Sequence, residues 1–281
     1  MTASSRQSSE ASGRERIAAA FARAKDARRG ALVPYICAGD PDAETTAGIL
    51  EALGRAGADV VEVGIPYGDP LADGPTIAAA AQRALDGGAT VASTLATMAR
   101  AHGAGAPPML AFTYVNPVIQ LGVTPFADAL VAAGACGAIV PDVPLEETGV
   151  LRDAFDERGL VLPLLVAPTT PAARADALAR ASGGFVYVVS RLGVTGAKSG
   201  PDFGWIAARV EGLRAVTDLP IAVGFGISTP EHVKRACTVA DAAIVGSALI
   251  DAYAGTRGDE ARRRSERFVR SLAAATGHAA A

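Results

Sequence analysis

The stretch "PIAVGFGISTPEHVKRACTVADAAIVGSALI", residues 220–250, decides the fold. It opens with an apolar run, 220–225, and passes through a glycine turn into the helical segment "PEHVKRACTVA". A second apolar run follows at 241–246, and Gly246-Ser247 then leads into another helix. Runs so nearly continuous in hydrophobicity are what strands buried on both faces look like, in a parallel sheet covered by helices. The same alternation extends back through the chain, with strands expected at 31–37, 59–64, 108–113, 136–141, 161–167 and 185–190. Eight strand–helix units in a chain of about this length favour a closed (β/α)8 barrel, a TIM barrel. An open doubly wound sheet would show fewer strands and an early glycine-rich dinucleotide turn, which is missing. No linker divides the chain. We therefore expect one domain over 13–281, with an extra helix at each end, behind a Ser-rich tail at 1–12 that is expected to be disordered.

Composition narrows the function classes. Half of the residues are hydrophobic but only 5% are aromatic, so Ala, Val, Leu and Ile must build the core. The net charge of −3 and the lack of a dense Lys/Arg cluster argue against a nucleic-acid footprint. The most basic stretch, "ARRRSERFVR" (261–270), reads as an exposed terminal helix. Cys37, Cys136 and Cys237 are odd in number and far apart, which suits reduced core thiols better than disulfides or a zinc site. His102, His232 and His278 fall on helical or terminal segments, so no metal cluster is expected. No apolar run reaches the ~18 residues of a membrane span, and the N-terminus has no secretory h-region. The expectation is a cytoplasmic protein with no nucleic-acid or membrane partner.

Barrel enzymes work at the C-terminal ends of their strands, and that rule selects the candidates. Glu62 lies within the second strand, where alternation points it into the barrel or into the helix layer. Either setting is costly for an unpaired carboxylate. It is a salt-bridged structural residue or an acid/base with a raised pKa. Asp73 lies in the Pro/Gly-rich loop that follows, where it is a hydrogen-bond acceptor for a substrate or a turn-capping Asp ahead of Gly74. Asp69 and Asp40 suit turn or cap roles. Gly226 follows the seventh strand, and Gly246 with Ser247 follows the eighth, the place where many barrels hold a phosphate on backbone N–H groups. The long loop "SRLGVTGAKSGPDF" (190–203) is a lid or a plain flexible loop.

Five motifs, "PYICAGDP", "VEVGIPYGDPLADGP", "YVVSRLGVTG", "VGFGIS" and "IVGSA", occur in an order and spacing that resembles the tryptophan synthase α chain from about residue 14 to 272. The resemblance implies a lyase that cleaves indole-3-glycerol phosphate into indole and glyceraldehyde 3-phosphate. It places Glu62 as the general acid/base and Asp73 as the carboxylate that binds the indole N–H. It puts Tyr187 near the cleaved side chain and Tyr35 and Tyr114 in the indole pocket wall. Thr195 and Gly196 would belong to the lid, and Gly226, Gly246 and Ser247 to the phosphate grip. It also implies a β-chain partner in an α2β2 tetramer, with pyridoxal phosphate on the β chain and no cofactor or metal in this one. The alternative is a stand-alone lyase that releases free indole. Three positions depart from the family pattern: Gly68 for Ser, Cys37 for Thr, and Leu192 for a small residue.

Overall fold

A computed structural model describes residues 11–190 and 200–277. Its eight strands are β1 (Ala31–Cys37), β2 (Val61–Gly64), β3 (Met109–Phe112), β4 (Gly137–Ile139), β5 (Leu164–Val166), β6 (Val186–Val189), β7 (Ile221–Gly224) and β8 (Ala242–Val245). They form one parallel sheet in the order β4-β3-β2-β1-β8-β7-β6-β5. Every expected strand is present, most of them trimmed at the ends. The two outer strands meet through a parallel bridge between Gly137 and Val161. Ala138 donates to the Val161 carbonyl at 3.1 Å and Val161 donates to that of Cys136 at 2.9 Å. These bonds close the sheet into a barrel.

Helix α1 (Gly13–Asp26) precedes β1, and α2 (Ala43–Arg55) follows it. After β2 come α3 (Pro75–Asp86) and α4 (Val91–Gly103), and after β3 come α5 (Val115–Leu121) and α6 (Val123–Ala132). One helix follows each of the next four strands: α7 (Gly149–Asp156), α8 (Ala172–Ala181), α9 (Phe203–Arg214) and α10 (Pro230–Val239). The chain continues from β8 into α11 (Ser247–Tyr253) and α12 (Gly258–Ala273). The expected terminal helices are α1 and α12, but second helices in the β2 and β3 units add to the one-per-strand pattern. Helix α3 matters most, because it starts two residues after Asp73.

Local sequence explains the boundaries. Ser12 and Glu15 make a reciprocal capping box that starts α1, so Ser12 acts as a helix cap. Asp42 caps α2 by accepting the Thr45 N–H at 2.7 Å. Thr229 caps α10, where Pro230 fills the first turn, a position that has no partner for an N–H in any case. The basic stretch 261–270 lies in α12, which is amphipathic. Ala261, Ser265 and Val269 are buried, while Arg264 and Arg270 pair with Glu260 and Glu266 one turn back. Asp59, 7% exposed, fastens the barrel floor by binding Arg29 through both oxygens, at 2.6 and 2.7 Å, and accepting the Leu32 N–H at 2.9 Å. Among the described residues no single helix is long and apolar enough to cross a membrane.

Barrel closure leaves no room for a side chain at Gly137. A β-carbon there would collide with the Val161 carbonyl oxygen and lie 2.7 Å from its nitrogen, both of them backbone atoms. We expect Gly137→Ala to destabilise the fold by roughly 1–3 kcal/mol. Urea denaturation would read this as a lower midpoint with an unchanged slope.

Candidate active site

Glu62 pairs in register with Tyr35 of β1 and Leu110 of β3. Its side chain points inward, which places Val61 and Val63 toward the helix layer. It is 1% exposed, and its Oε1 has no hydrogen-bond partner. This is no salt-bridged structural glutamate. Burial disfavours the charged form and pushes its pKa up to about 8.

Asp73 comes to the same cavity from the β2–α3 loop, which turns back through the bond from its own N–H to the Pro70 carbonyl at 3.3 Å. Burial raises its pKa to about 6, and a hydrogen bond from Tyr114 limits that rise. The Tyr114 hydroxyl also accepts the Ala72 N–H at 3.0 Å. Tyr114 therefore ties down the loop that carries Asp73, while its ring packs at a tilt against Tyr67 with centroids 5.3 Å apart. Tyr114 is not among the residues that line the cavity.

That cavity is narrow, about 40 Å³, and is lined by Tyr35, Glu62, Asp73, Ile77, Phe112, Tyr187, Phe225, Gly226, Ile227, Ile244, Gly246 and Ser247. Its residues come from the C-terminal ends of the strands and from the loops and helix starts that follow them, the face where barrel enzymes bind their ligands. Two glycines let the tyrosines lie across the barrel. A β-carbon on Gly64 would collide with the Tyr35 hydroxyl, and one on Gly224 with that of Tyr187. Tyr35 meets Phe112 edge-on at 5.7 Å, and Tyr187 meets Phe225 at 6.0 Å. Phe225 adopts φ 67°, which is uncommon for a residue other than glycine, and its carbonyl accepts the Ser190 hydroxyl.

The structure thus brings Tyr35, Glu62, Asp73, Tyr187, Gly226, Gly246 and Ser247 together. Thr195, Gly196 and Leu192 lie outside the described residues, as does His278. The sequence reading missed the apolar wall of Ile77, Phe112, Phe225, Ile227 and Ile244. Only Phe225, set between Gly224 and Gly226, carried a local signal. Asp69 is exposed in its turn, whereas Asp40 is buried on Arg83 rather than capping a turn. Gly68 has open space around its β-carbon position, so a serine there would fit. His102 is held by Arg16 at 3.4 Å, and His232 faces Ser228 at the same distance. The three cysteines are buried and free, and burial raises their thiols well above the usual range. Among the described residues no group of three or more His, Cys, Asp or Glu is placed to hold a metal ion. A second groove at the opposite end, between α1 and the helix-to-strand turns, contains none of the candidate acids; its carboxylates are Asp156, Asp218 and Asp241.

Fold and site together define a (β/α)8-barrel enzyme with a buried, proton-retaining carboxyl group at its catalytic end. The family model for the tryptophan synthase alpha chain matches residues 21–278. The tryptophan synthase alpha chain of Synechocystis sp. is 48% identical over 261 residues, covering 91% of this chain and 97% of that one. That of Gloeobacter violaceus is 45% identical over 258 residues, covering 92% and 93%. Among solved structures, Mycobacterium tuberculosis tryptophan synthase superposes with a TM-score of 0.87 at 37% identity, covering 96% of this chain and 100% of that one. The alpha subunit from Legionella pneumophila gives 0.83 at 34% identity, covering 93% and 98%. The chain belongs to the tryptophan synthase α-chain family. It is a carbon–carbon lyase of tryptophan biosynthesis that cleaves indole-3-glycerol phosphate, from a family that works with a β chain.

Two titrations test the electrostatics without any assay of turnover. Tyr114→Phe removes the bond that holds the Asp73 pKa down, so carboxyl NMR should find Asp73 titrating higher than in the wild type. Glu62 binds its proton more tightly when folded, so between about pH 4.5 and 8 the native state holds a proton that the unfolded chain has released. Wild-type stability should therefore fall across that window relative to Glu62→Gln. Parallel melting curves for the two proteins from pH 5 to 9 would contradict the dry Glu62.

Proposed function

We propose that Glu62 is the proton shuttle of the cleavage and Asp73 the acceptor for the indole N–H. The observation that carries this reading is the buried Glu62 carboxyl group, which keeps its proton up to about pH 8 and has one oxygen without a protein partner. Cleavage needs a proton on C3 of the indole and the loss of one from the glycerol hydroxyl next to the bond that breaks. Neutral Glu62 gives its proton to C3, and the ring nitrogen takes up the positive character that results. Asp73, ionised at neutral pH, stabilises that charge through the N–H. The Glu62 carboxylate then accepts the hydroxyl proton. As the aldehyde forms, the carbon–carbon bond breaks and its electron pair returns to the indole ring. Glu62 ends protonated, so the cycle balances.

The remaining residues divide the substrate between them. Tyr35 with Ile77, Phe112 and Ile244 provides an apolar slot for the indole, Tyr187 stands beside the side chain that is cleaved, and the backbone at Gly226, Gly246 and Ser247 faces the phosphate. Chemistry of this kind calls for proton exchange only, so we assign this chain no cofactor. We assign pyridoxal phosphate to the β chain, with which this chain would form an α2β2 tetramer and to which it would pass indole. Three free buried cysteines suit a reducing cytoplasm.

Indole release from indole-3-glycerol phosphate, measured with and without β chain, tests the reading. Glu62→Gln should lower turnover by roughly 10²–10⁴-fold with the fold intact, and normal turnover in that variant would remove Glu62 from the mechanism. In the wild type, kcat/KM should fall below about pH 6 as Asp73 gains a proton and above about pH 8 as Glu62 loses one. Asp73→Asn should abolish the acid limb and leave the alkaline one.

A further inference from the structure

Asp40 is a buried carboxylate with no part in the chemistry above. It stands in the loop after β1 at 2% exposure, and Arg83 of α3 binds it through both oxygens, Nε to Oδ1 at 2.8 Å and Nη2 to Oδ2 at 2.9 Å. Such a fork fixes orientation as well as distance. We propose that the Asp40–Arg83 pair is a positioning device for Asp73: it clamps α3, the helix that begins directly behind Asp73, and so keeps that carboxylate aimed at the ring nitrogen. The inference rests on the role given to Asp73 in the proposed function.

Three observations support it. First, the helix end at the clamp is closely packed, with Asp40 buried and Arg83 half exposed. Gly39, at φ 84°, lies against the same end of α3, where a β-carbon would come within 2.9 Å of the Ala89 methyl and 3.3 Å of that of Ala84. Second, the start of α3 lacks a side-chain cap. Its N-cap, Gly74, offers no side-chain hydrogen bond, and Pro75 has no N–H to place. At 1.5 Å per residue Arg83 is about 12 Å along the helix from Pro75, so a tilt at the clamp is carried to the Asp73 end. Third, Asp40 lies where cavity-bearing elements converge. The Tyr253 hydroxyl at the end of α11 is 3.5 Å from Asp40 Oδ2. At the start of that helix, a β-carbon on Gly246 would lie 3.5 Å from Ile77 Cδ1 of α3 and 3.8 Å from the Tyr35 ring.

A double-mutant cycle separates positioning from mere support. Turnover, and inhibition by inorganic phosphate, are measured in the full chain for wild type, Arg83→Met, Arg83→Lys, Asp73→Asn and the Arg83→Met/Asp73→Asn combination. Arg83→Met should lower kcat about tenfold, as a misaimed reacting group does, with the phosphate inhibition constant unchanged. Arg83→Lys, which keeps the charge without the fork, should recover part of the loss. In the Asp73→Asn background, Arg83→Met should have little further effect, because the two residues act as one unit. An equal loss in both backgrounds overturns the proposal, as does a lower melting temperature with unchanged turnover per folded molecule. If Arg83→Met fails to fold, Asp40→Asn/Arg83→Gln removes both charges and takes its place in the cycle. Wild-type turnover in Asp73→Asn would instead refute the role of Asp73, and the inference with it.

Discussion

Holding the Glu62 carboxyl group dry is the constraint on which the rest of the site depends. A carboxyl oxygen without a partner is costly to bury, and an ionised one far more so. The barrel keeps the group there by making it neutral. Glu62 is 1% exposed, and among the described residues no cation pairs with it to pull the proton off. In the proposed mechanism, the same burial that destabilises the fold at high pH provides the acid that protonates carbon near neutrality. Any change that lets water or an arginine reach Glu62 would relieve the fold and lose the acid.

Asp73 shows the complementary design. It shares the cavity with Glu62, yet the Tyr114 hydroxyl holds its pKa down to about 6, against about 8 for Glu62. Two carboxyl groups in one pocket thus acquire different protonation states at neutral pH, and hence different roles, from their environments alone. The difference comes from the deeper burial of Glu62 and from the hydrogen bond that Tyr114, on another strand's loop, gives Asp73. This places Tyr114 in the electrostatics of the site rather than in its wall.

How much of this could be read in the sequence follows from the range of each interaction. The eight strands were legible because a buried parallel strand is a local run of apolar residues, and "VVEVG" showed its acid by interrupting one. Alternation left two directions for Glu62, into the barrel or into the helices, and only closure through Gly137 and Val161 makes the inner one a pocket. Residue spacing alone could not choose between the substrate-binding and turn-capping readings of Asp73, and it gave Asp40 only a turn or cap role. Those distinctions rest on Tyr114, 41 positions beyond Asp73, and on Arg83, 43 beyond Asp40. Nothing local announces such a pairing. The apolar wall was hidden for a related reason: Ile77 and Ile244 look like any core residues until the helix or strand that bears them is placed.

One short segment nevertheless carries most of the proposed chemistry. From Glu62 to Arg83 the chain supplies the proposed acid, a turn that returns the second carboxyl group, the apolar Ile77 and the arginine that binds Asp40. A barrel permits this economy because each strand, its loop and its helix form one connected unit with the loop at the catalytic end. The loop's aim is then set from both sides, by a strand locked in the sheet and by a helix locked to its neighbours. In the second unit the strand end is locked by register with Tyr35 and Leu110, and the helix end by Asp40. The Pro/Gly-rich loop between them needs little rigidity of its own, because both of its anchors are fixed.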